Sequence, residues 1–240
     1  MTVLAEYPDA LWAQVVSYKY YIIEAVLVTD NFTKIRVHSP GTSMSGSFAA
    51  GVKILVQPYT NYNSKRKCGY YVLAIETKSS IMGANPSLSN FLFKRYLQRA
   101  DTYFCCVNYK TEITCANCRF DFQLLLPNQL KPYVEVKSCF FTHENKCVFP
   151  LKHLRDLPKL DKTPPKYTPM SPRAIKHLQQ LVDCSGILIF LAHCTHFQKF
   201  EINPRQKELK NLYEQLVNKY LLKVQWTRDK KVIFNSFLKL

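Results

Sequence analysis

Two acids and a lysine lie within two apolar runs in the stretch Arg119-Phe-Asp-Phe-Gln-Leu-Leu-Leu-Pro-Asn-Gln-Leu-Lys-Pro-Tyr-Val-Glu-Val-Lys137. In the second run, Val134 and Val136 alternate with Glu135 and Lys137. This is the two-residue period of a β-strand, so Glu135 and Lys137 are predicted to share one face. The first run also predicts a strand, and the Pro-Asn pair after it can turn the chain so that the two strands pair antiparallel.

Antiparallel pairing would bring Asp121 of the first strand close to Glu135 of the second. Two carboxylates and the strand carbonyl of Val136 form the all-oxygen ligand set that Mg²⁺ or Mn²⁺ prefers. An ammonium group beside them, that of Lys137, can orient water or stabilise a phosphorane, so the pattern favours a phosphodiesterase site. The alternative is a solvated strand face, because Glu-x-Lys triplets are common by chance.

These three residues resemble the D…E-x-K signature of the PD-(D/E)XK nuclease superfamily, and the wider sequence resembles the sugar fermentation stimulation protein A family. The resemblance implies an N-terminal OB-type barrel, a C-terminal nuclease-like domain and DNA binding. The segments that carry it, in the family's order, are His38–Met44, Asn63–Lys67, Asn85–Asn90, Glu112–Phe122, Val134–Lys137, Phe149-Pro150, Arg173–Leu178 and Ile202–Pro204.

The composition is that of a basic globular protein. Its 240 residues are 47% hydrophobic, which excludes a disordered chain, and the formal net charge is +16. Residues 90–240 hold 25 of the 33 lysines and arginines but 12 of the 17 acids, so the positive charge surrounds the predicted metal site. This charge favours a polyanionic partner such as nucleic acid, although an acidic membrane or a ribosome would also satisfy it.

The cysteines predict a reducing compartment. There are nine, an odd number, and no signal peptide is recognisable at the start, so we expect reduced thiols and a cytoplasmic protein. Cys115-Ala-Asn-Cys118 could begin a zinc site, but ordinary thiols are the expectation because no second Cys-x-x-Cys follows. The longest apolar run, Ile187–Ala192, is too short to cross a membrane.

The first part of the chain predicts a small barrel, and we place an OB-fold-like domain at residues 1–82. Its short strands are separated by turn-rich connections. Lys65, Arg66 and Lys67 lie in a loop that could contact phosphates, or that could simply be a solvated hairpin tip. Lys19 remains from a more arginine-rich segment of the family and is a further candidate for nucleic-acid binding.

The second part, residues 83–240, predicts the nuclease-like domain. A helix near residues 90–99 precedes strands that include one at 103–109, and a Pro/Lys-rich loop covers residues 157–172. Ser171-Pro172 then begins a helix as N-cap and first-turn proline. A later helix is predicted to open at Asn203-Pro204 and to keep Val217 and Tyr220 on its inner face.

Further site residues lie on these elements. Glu112 matches an acidic family position and could supply another ligand or act in catalysis; the alternative is an exposed hairpin carboxylate. Arg119 shares a strand face with Asp121 and could bind a phosphate or pair with an acid. On the polar side of the helix after Pro172, we expect phosphate contacts from Arg173, Lys176 and His177.

The sequence therefore predicts an α+β protein, with an OB-like barrel followed by a PD-(D/E)XK-type domain that has a mixed sheet. The predicted function is DNA binding, largely through the backbone, with a Mg²⁺- or Mn²⁺-dependent nuclease site. A non-catalytic DNA-binding regulator of carbohydrate metabolism genes is the alternative, and RNA is not excluded as the ligand. The sequence indicates no membrane partner and does not fix an oligomeric state.

Overall fold

A computed structural model describes residues 2–30, 32–40, 47–60, 66–77, 80–140, 142–143, 145–150 and 170–240. The predicted phosphate contact Lys65 and most of the Pro/Lys-rich loop lie outside these residues. The elements, in chain order, are β1 (Val3–Glu6), β2 (Leu11–Lys19), β3 (Ile22–Leu27), β4 (Lys34–His38), β5 (Lys53–Pro58), β6 (Tyr70–Glu76), β7 (Ile81–Gly83), α1 (Leu88–Leu97), β8 (Asn108–Cys115), β9 (Cys118–Leu125), β10 (Tyr133–Cys139), β11 (Thr142–His143), β12 (Lys146–Phe149), α2 (Pro172–Asp183), β13 (Ile187–Ala192), β14 (Lys199–Ile202), α3 (Lys207–Gln215), β15 (Asn218–Trp226) and β16 (Lys231–Lys239).

Five strands of the first part close into a barrel. β2 pairs antiparallel with β3 and β5, β3 with β4, and β5 with β6. A parallel pairing of β4 with β6 closes the circle. Alternate residues point inward: Ala13, Val15, Ile23 and Ala25 are at most 2% exposed. This arrangement confirms the predicted OB-like barrel.

A separate mixed sheet of seven strands forms most of the second part, in the order β1-β16-β15-β13-β10-β9-β8. Its centre is parallel, because β13 pairs in parallel with both β10 and β15. Every residue of β13 is buried, as expected for a parallel strand that is covered on both faces. Together with the barrel, a small three-stranded sheet (β11-β12-β14) and the three helices of the described residues, this sheet confirms the α+β class.

The chain order places two helices beside the strands that carry the acids. α1 precedes the antiparallel strands β8, β9 and β10, and α2 lies in sequence between β10 and its parallel neighbour β13. The N-terminus of α2 is as predicted, because the Ser171 side chain accepts a hydrogen bond from the Ala174 N–H and Pro172 is the first helical residue. None of the helices in the described ranges is long and apolar enough to span a bilayer.

The two parts of the molecule share close contacts. β1, although it lies within the predicted first domain, pairs with β16 at the edge of the larger sheet. At the end of β7, the Gly83 N–H donates to the His193 carbonyl at 3.1 Å. A Cβ atom on Gly83 would lie 2.5 Å from both His193 Nδ1 and Trp226 Nε1, so only glycine fits here. The domain boundary at residues 82 and 83 stays a prediction.

Two predicted elements were wrong. The last helix ends at Gln215, and Leu216 is already extended with ψ 123°. Val217 is 72% exposed and Tyr220 belongs to strand β15, so neither lies on a helix face. The strand predicted at residues 103–109 is irregular up to residue 107, and β8 begins at Asn108.

The packing of His193 beside Gly83 can be tested through its pKa. The His193 side chain is fully buried, and this burial lowers its pKa to about 3. The unfolded chain, in which histidine has a pKa near 6.5, binds a proton below that pH while the folded chain does not. Stability should therefore fall as the pH drops from about 6.5 towards about 3, and His193 should contribute about 1.4 kcal/mol per pH unit. Urea unfolding between pH 7.5 and 4.5 should show a shallower loss in His193→Gln; identical slopes would contradict the prediction.

Candidate active site

The predicted strand pair around Asp121 exists, but its hydrogen-bond ladder is interrupted. β9 and β10 are paired at Gln123–Tyr133 and Phe122–Val134. Beyond this point, the Val136 N–H donates to Oδ2 of Asp121 at 2.8 Å. The carboxylate thus takes the position of a strand carbonyl, and a cleft of about 400 Å³ opens beside it. Its lining includes Pro86, Ser87, Asn90, Asp121, Glu135, Val136 and Lys137.

Asp121 is held at both oxygens. While Oδ2 accepts from Val136, Oδ1 accepts from the Asn90 side-chain amide at 2.7 Å. The pKa of Asp121 is nevertheless raised, first by burial and then by the charge of Glu135, because the two hydrogen bonds only partly offset these effects. A fixed carboxylate that is costly to ionise is typical of a functional site that receives a cation.

Glu135 is only 4% exposed, and its two oxygens differ. Oε1 accepts from Lys137 Nζ at 2.5 Å and lies 3.2 Å from His177 Nδ1. Oε2 is buried and has no hydrogen-bond partner within the described structure. Because an unsatisfied buried oxygen is costly, and more so on a charged group, Oε2 is a natural ligand position for a metal ion.

A chain of side-chain hydrogen bonds fixes the wall of the cleft. Ser89 Oγ lies 2.6 Å from Ser138 Oγ and 2.8 Å from His193 Nε2. Ser138 Oγ also donates to the Pro86 carbonyl at 3.3 Å. These bonds connect the start of α1 to β10 and to the end of β13, and they hold the helix turn that carries Asn90 against the acidic residues.

The side chains at the cleft supply only some of the ligands that a hard divalent cation needs. Among the described residues, no group of three or more His, Cys, Asp and Glu side chains is arranged to hold a metal. The two carboxylates of Asp121 and Glu135 and the backbone of Val136 line the cleft together with serine hydroxyls and the amide of Asn90. Oxygen donors of this kind suit Mg²⁺, Mn²⁺ or Ca²⁺, and water molecules commonly complete their coordination.

Glu112 and Arg119 lie apart from the cleft. Glu112 has a positive φ of 55°, and its Oε1 is 3.4 Å from Arg119 Nη2. Both side chains are more than half exposed, so their ion pair contributes little to stability. The structure places neither of them among the residues that line the cleft.

The predicted nucleic-acid contacts separate into two groups. Lys19, Arg66 and Lys67 are exposed at the barrel, and Arg173 and Lys176 are exposed at the start of α2. His177, which was predicted for the polar side of that helix, is buried and faces Glu135 instead. It therefore lies behind the acidic site.

Sequence comparison agrees with this architecture. The model of the sugar fermentation stimulation protein RE domain matches residues 87–164, which include Asp121, Glu135 and Lys137. A sugar fermentation stimulation protein homolog from Synechocystis is 26% identical over 223 residues, which are 86% of this chain and 84% of the relative. A homolog from Shewanella loihica is 29% identical over 160 residues, which are 60% of this chain and 66% of the relative. The chain is therefore similar to the sugar fermentation stimulation proteins, as the sequence resemblance predicted.

The fold is shared with a solved member of the sugar fermentation stimulation family. The structure of Pyrococcus furiosus SfsA in complex with Ca²⁺ matches with a TM-score of 0.78 and covers 100% of this chain and 99% of its own. The sequence identity is 15%, so the match concerns the fold.

Sequence reasoning missed two residues of the site, Asn90 and Ser89, and placed a third, His177, on the wrong side of its helix. Asn90 binds Asp121, Ser89 joins α1 to β10, and His177 contacts Glu135. Asn90 and Ser89 lie within a segment by which the chain resembles the sugar fermentation stimulation family, and this was the available signal. His177 and its partner Glu135 are 42 residues apart in the sequence, and periodicity does not reveal contacts between such distant residues.

Asp121 should lower the stability of the metal-free protein, because its carboxylate is buried beside Glu135 and its pKa is raised. Asp121→Asn keeps the shape and can accept the Val136 N–H with its oxygen, while its NH2 group can donate to the Asn90 side-chain oxygen once that amide is flipped. We therefore expect it to raise stability by about 1 kcal/mol, or about 2–4 °C in Tm. Thermal unfolding in EDTA at pH 7.5 measures this. Asp101→Asn, at an exposed carboxylate paired with Arg99, is the control and should not raise Tm. A lower Tm for Asp121→Asn would contradict the prediction.

Proposed function

We propose that this protein is a metal-dependent nuclease that acts on DNA. The observation that carries the proposal is the buried, unpaired Oε2 of Glu135 beside Asp121 and Lys137 in an open cleft. A hydrogen-bonded structural carboxylate would have both oxygens satisfied. The element order α1-β8-β9-β10-α2-β13, with the acids on β9 and β10, supports a nuclease-like domain of the PD-(D/E)XK type.

Asp121, Glu135 and the carbonyl of Val136 would hold the cation, with Mg²⁺ or Mn²⁺ as the working ion. The Ca²⁺ in the complex of the Pyrococcus furiosus relative supports a divalent cation in this family. When bound, the ion supplies Lewis-acid stabilisation of a phosphoryl oxygen and favours ionisation of a nearby water.

The protein residues have separate roles in this proposal. Lys137 donates to Glu135 and is 18% exposed at the side chain, so its ammonium group reaches both the carboxylate and the cleft, where it orients the attacking water. Asn90 and the Val136 N–H fix the direction of Asp121, and His177 supports Glu135 from behind. Such support keeps reacting groups within small tolerances.

DNA is the proposed substrate because of charge and position. The net charge of +16 favours a phosphate backbone, and Arg173 and Lys176 are exposed on α2, the helix that also carries His177. Nine free cysteines support a reducing location such as the cytoplasm. We place the boundary between the barrel and the nuclease-like part near residues 82 and 83.

A non-catalytic DNA-binding regulator is the second candidate. It is favoured by the short contact of Lys137 Nζ with Glu135 Oε1, which satisfies one charge of the site without a metal. It is also favoured by the absence of a three-side-chain metal cluster among the described residues. This candidate requires the basic surface but no metal uptake.

Glu135→Gln separates the two functions, because it removes the charge that a cation needs while the shape of the side chain is kept. We expect Mn²⁺ binding to be lost and cutting of plasmid and single-stranded DNA to fall by at least about 100-fold, with DNA binding retained. Mn²⁺ titration calorimetry, gel assays and fluorescence anisotropy measure the three quantities.

Glu208→Gln, at an exposed carboxylate in the first turn of α3, is the matched control and should leave all three unchanged. Glu112→Gln tests whether that residue assists the site; a contribution would appear as a smaller loss of cutting. DNA binding without Mn²⁺ uptake or cutting in the unmodified protein would reject the nuclease and favour the regulator.

A further inference from the structure

A second cleft lies on the other side of the turn that leads into α1. It has a volume of about 480 Å³, and its lining includes His38, Gln57 and Tyr59 from the barrel and Asn85 and Leu88 from the turn. This volume is in the range of about 300–1,000 Å³ that small-ligand sites have. We refer to it as the barrel cleft.

The barrel cleft and the acidic cleft share one residue. Ser87 lines both of them. Its position is fixed, because Asn85 Oδ1 accepts hydrogen bonds from the Ser87 N–H at 3.1 Å and from the Ser87 hydroxyl at 2.5 Å. A chain molecule that passes over Ser87 can therefore occupy both clefts at once.

One wall of the barrel cleft is aromatic and positively charged. The rings of Tyr59 and Tyr71 are 4.9 Å apart, and the Arg66 guanidinium lies 4.3 Å from the centre of the Tyr59 ring. The Tyr59 hydroxyl is 3.4 Å from His38 Nδ1, which restricts the ring. Aromatic rings and arginine planes of this kind are the surfaces on which proteins stack unpaired nucleobases.

The barrel cleft also offers an unused hydrogen-bond acceptor. Gln57 lines it, and Gln57 Oε1 is buried without a hydrogen-bond partner in the described part of the chain. The exocyclic amino groups of adenine and cytosine are donors that such an oxygen accepts. A purely apolar ligand would leave this oxygen unsatisfied.

Cations lie at the same end of the barrel. Arg66 lies against Tyr59 and is exposed, as is its neighbour Lys67, and Lys19 is the last residue of β2, next to the β2–β3 turn. That turn reaches the cleft end of β4, because the Ser39 N–H donates to the Tyr21 carbonyl at 2.9 Å. Arg66 thus brings positive charge to the aromatic wall itself, and the other exposed cations at this end of the barrel add to the charge that attracts a phosphate backbone.

We propose that the barrel cleft binds one unpaired nucleobase of a nucleic-acid single strand, whose backbone continues past Ser87 into the acidic cleft. The role of the acidic cleft in this inference rests on the proposed nuclease function. A base inside a duplex is stacked and paired and must leave the helix to enter such a cleft. The protein therefore selects single strands, or unpaired positions, next to the phosphate that it cuts.

DNA binding in EDTA, which removes the metal ions needed for cutting, tests this inference separately from the nuclease function. The probe is a single-stranded DNA 12-mer with one 2-aminopurine, in EDTA, compared with the same strand in a duplex. Tyr59→Leu should weaken single-strand binding by about 10- to 100-fold and remove the fluorescence quenching that stacking causes. Tyr59→Phe keeps the ring and should bind like the unmodified protein.

Two further variants complete the design. Phe32→Leu changes an aromatic residue that is 86% exposed in the β3–β4 connection, at the opposite end of the barrel, and should have no effect. Arg66→Met alters an exposed residue and should weaken binding with the fold intact, so the test remains valid if Tyr59→Leu does not fold.

The results distinguish failure of the base site from failure of the nuclease function. Equal affinity for single strand and duplex, or full binding and quenching in both Tyr59→Leu and Arg66→Met, would overturn the inference. Single-strand preference that depends on Tyr59, together with no cutting in Mn²⁺, would support the base site and reject the nuclease. Cutting of single strands and duplexes at the same rate, unaffected by Tyr59→Leu, would support the nuclease and reject the base site.

Discussion

The hydrogen bond from the Val136 N–H to the Asp121 carboxylate is the interaction on which the site depends. In a regular antiparallel pair, this N–H would donate to a carbonyl of β9, and the two strands would remain closed. Here the side chain of β9 satisfies the donor, so the strands separate without leaving a buried N–H unpaired. The opening of the cleft and the position of Asp121 both follow from this one substitution of a side-chain acceptor for a backbone acceptor.

The surrounding residues compensate only part of the cost of two buried acids. Asn90 and Lys137 provide hydrogen bonds to Asp121 and Glu135, and His177 provides a polar neighbour. The pKa of Asp121 is still raised, and Glu135 keeps a buried oxygen without a partner. Selection for stability alone would replace such a pair by hydrophobic residues. A positive, hard ligand would offset the remaining cost, and this is the physical basis for proposing a divalent cation at the site.

Local pattern predicted much of this fold, and long-range contacts account for the failures. Strict alternation around Glu135 and the cap at Ser171 are signals carried by a few neighbouring residues, and the structure confirms both elements. Tyr220 was placed on a helix because its spacing fitted a helical period, yet pairing with β13 and β16 makes it part of a strand. β1 is a short segment whose partner lies more than 220 residues away, so no local pattern could have placed it in the larger sheet.

In the candidate site, too, local patterns predicted some residues, and long-range contacts determine the others. The sequence predicted Asp121, Glu135 and Lys137 as a group because all three lie in one hairpin. Asn90 and His177 contact that hairpin from the helices before and after it. Periodicity predicts only whether a helix residue lies in the core or on the surface. His177 shows that this does not identify the residue's partner or its role. A polar residue on a buried face is informative only when its partner is known.

Two acids in a cleft would by themselves repel a phosphodiester. Lys137 lines the cleft but is hydrogen-bonded to Glu135, and further exposed cations of the described residues lie at the barrel and on α2. In the proposed function, attraction and chemistry are separated in space: the exposed cations would increase the local concentration of a polyanion, and the carboxylates would act once a bound metal ion neutralises them. The proposed base site in the barrel cleft would add what charge cannot supply, because Coulomb attraction alone does not distinguish a single strand from a duplex.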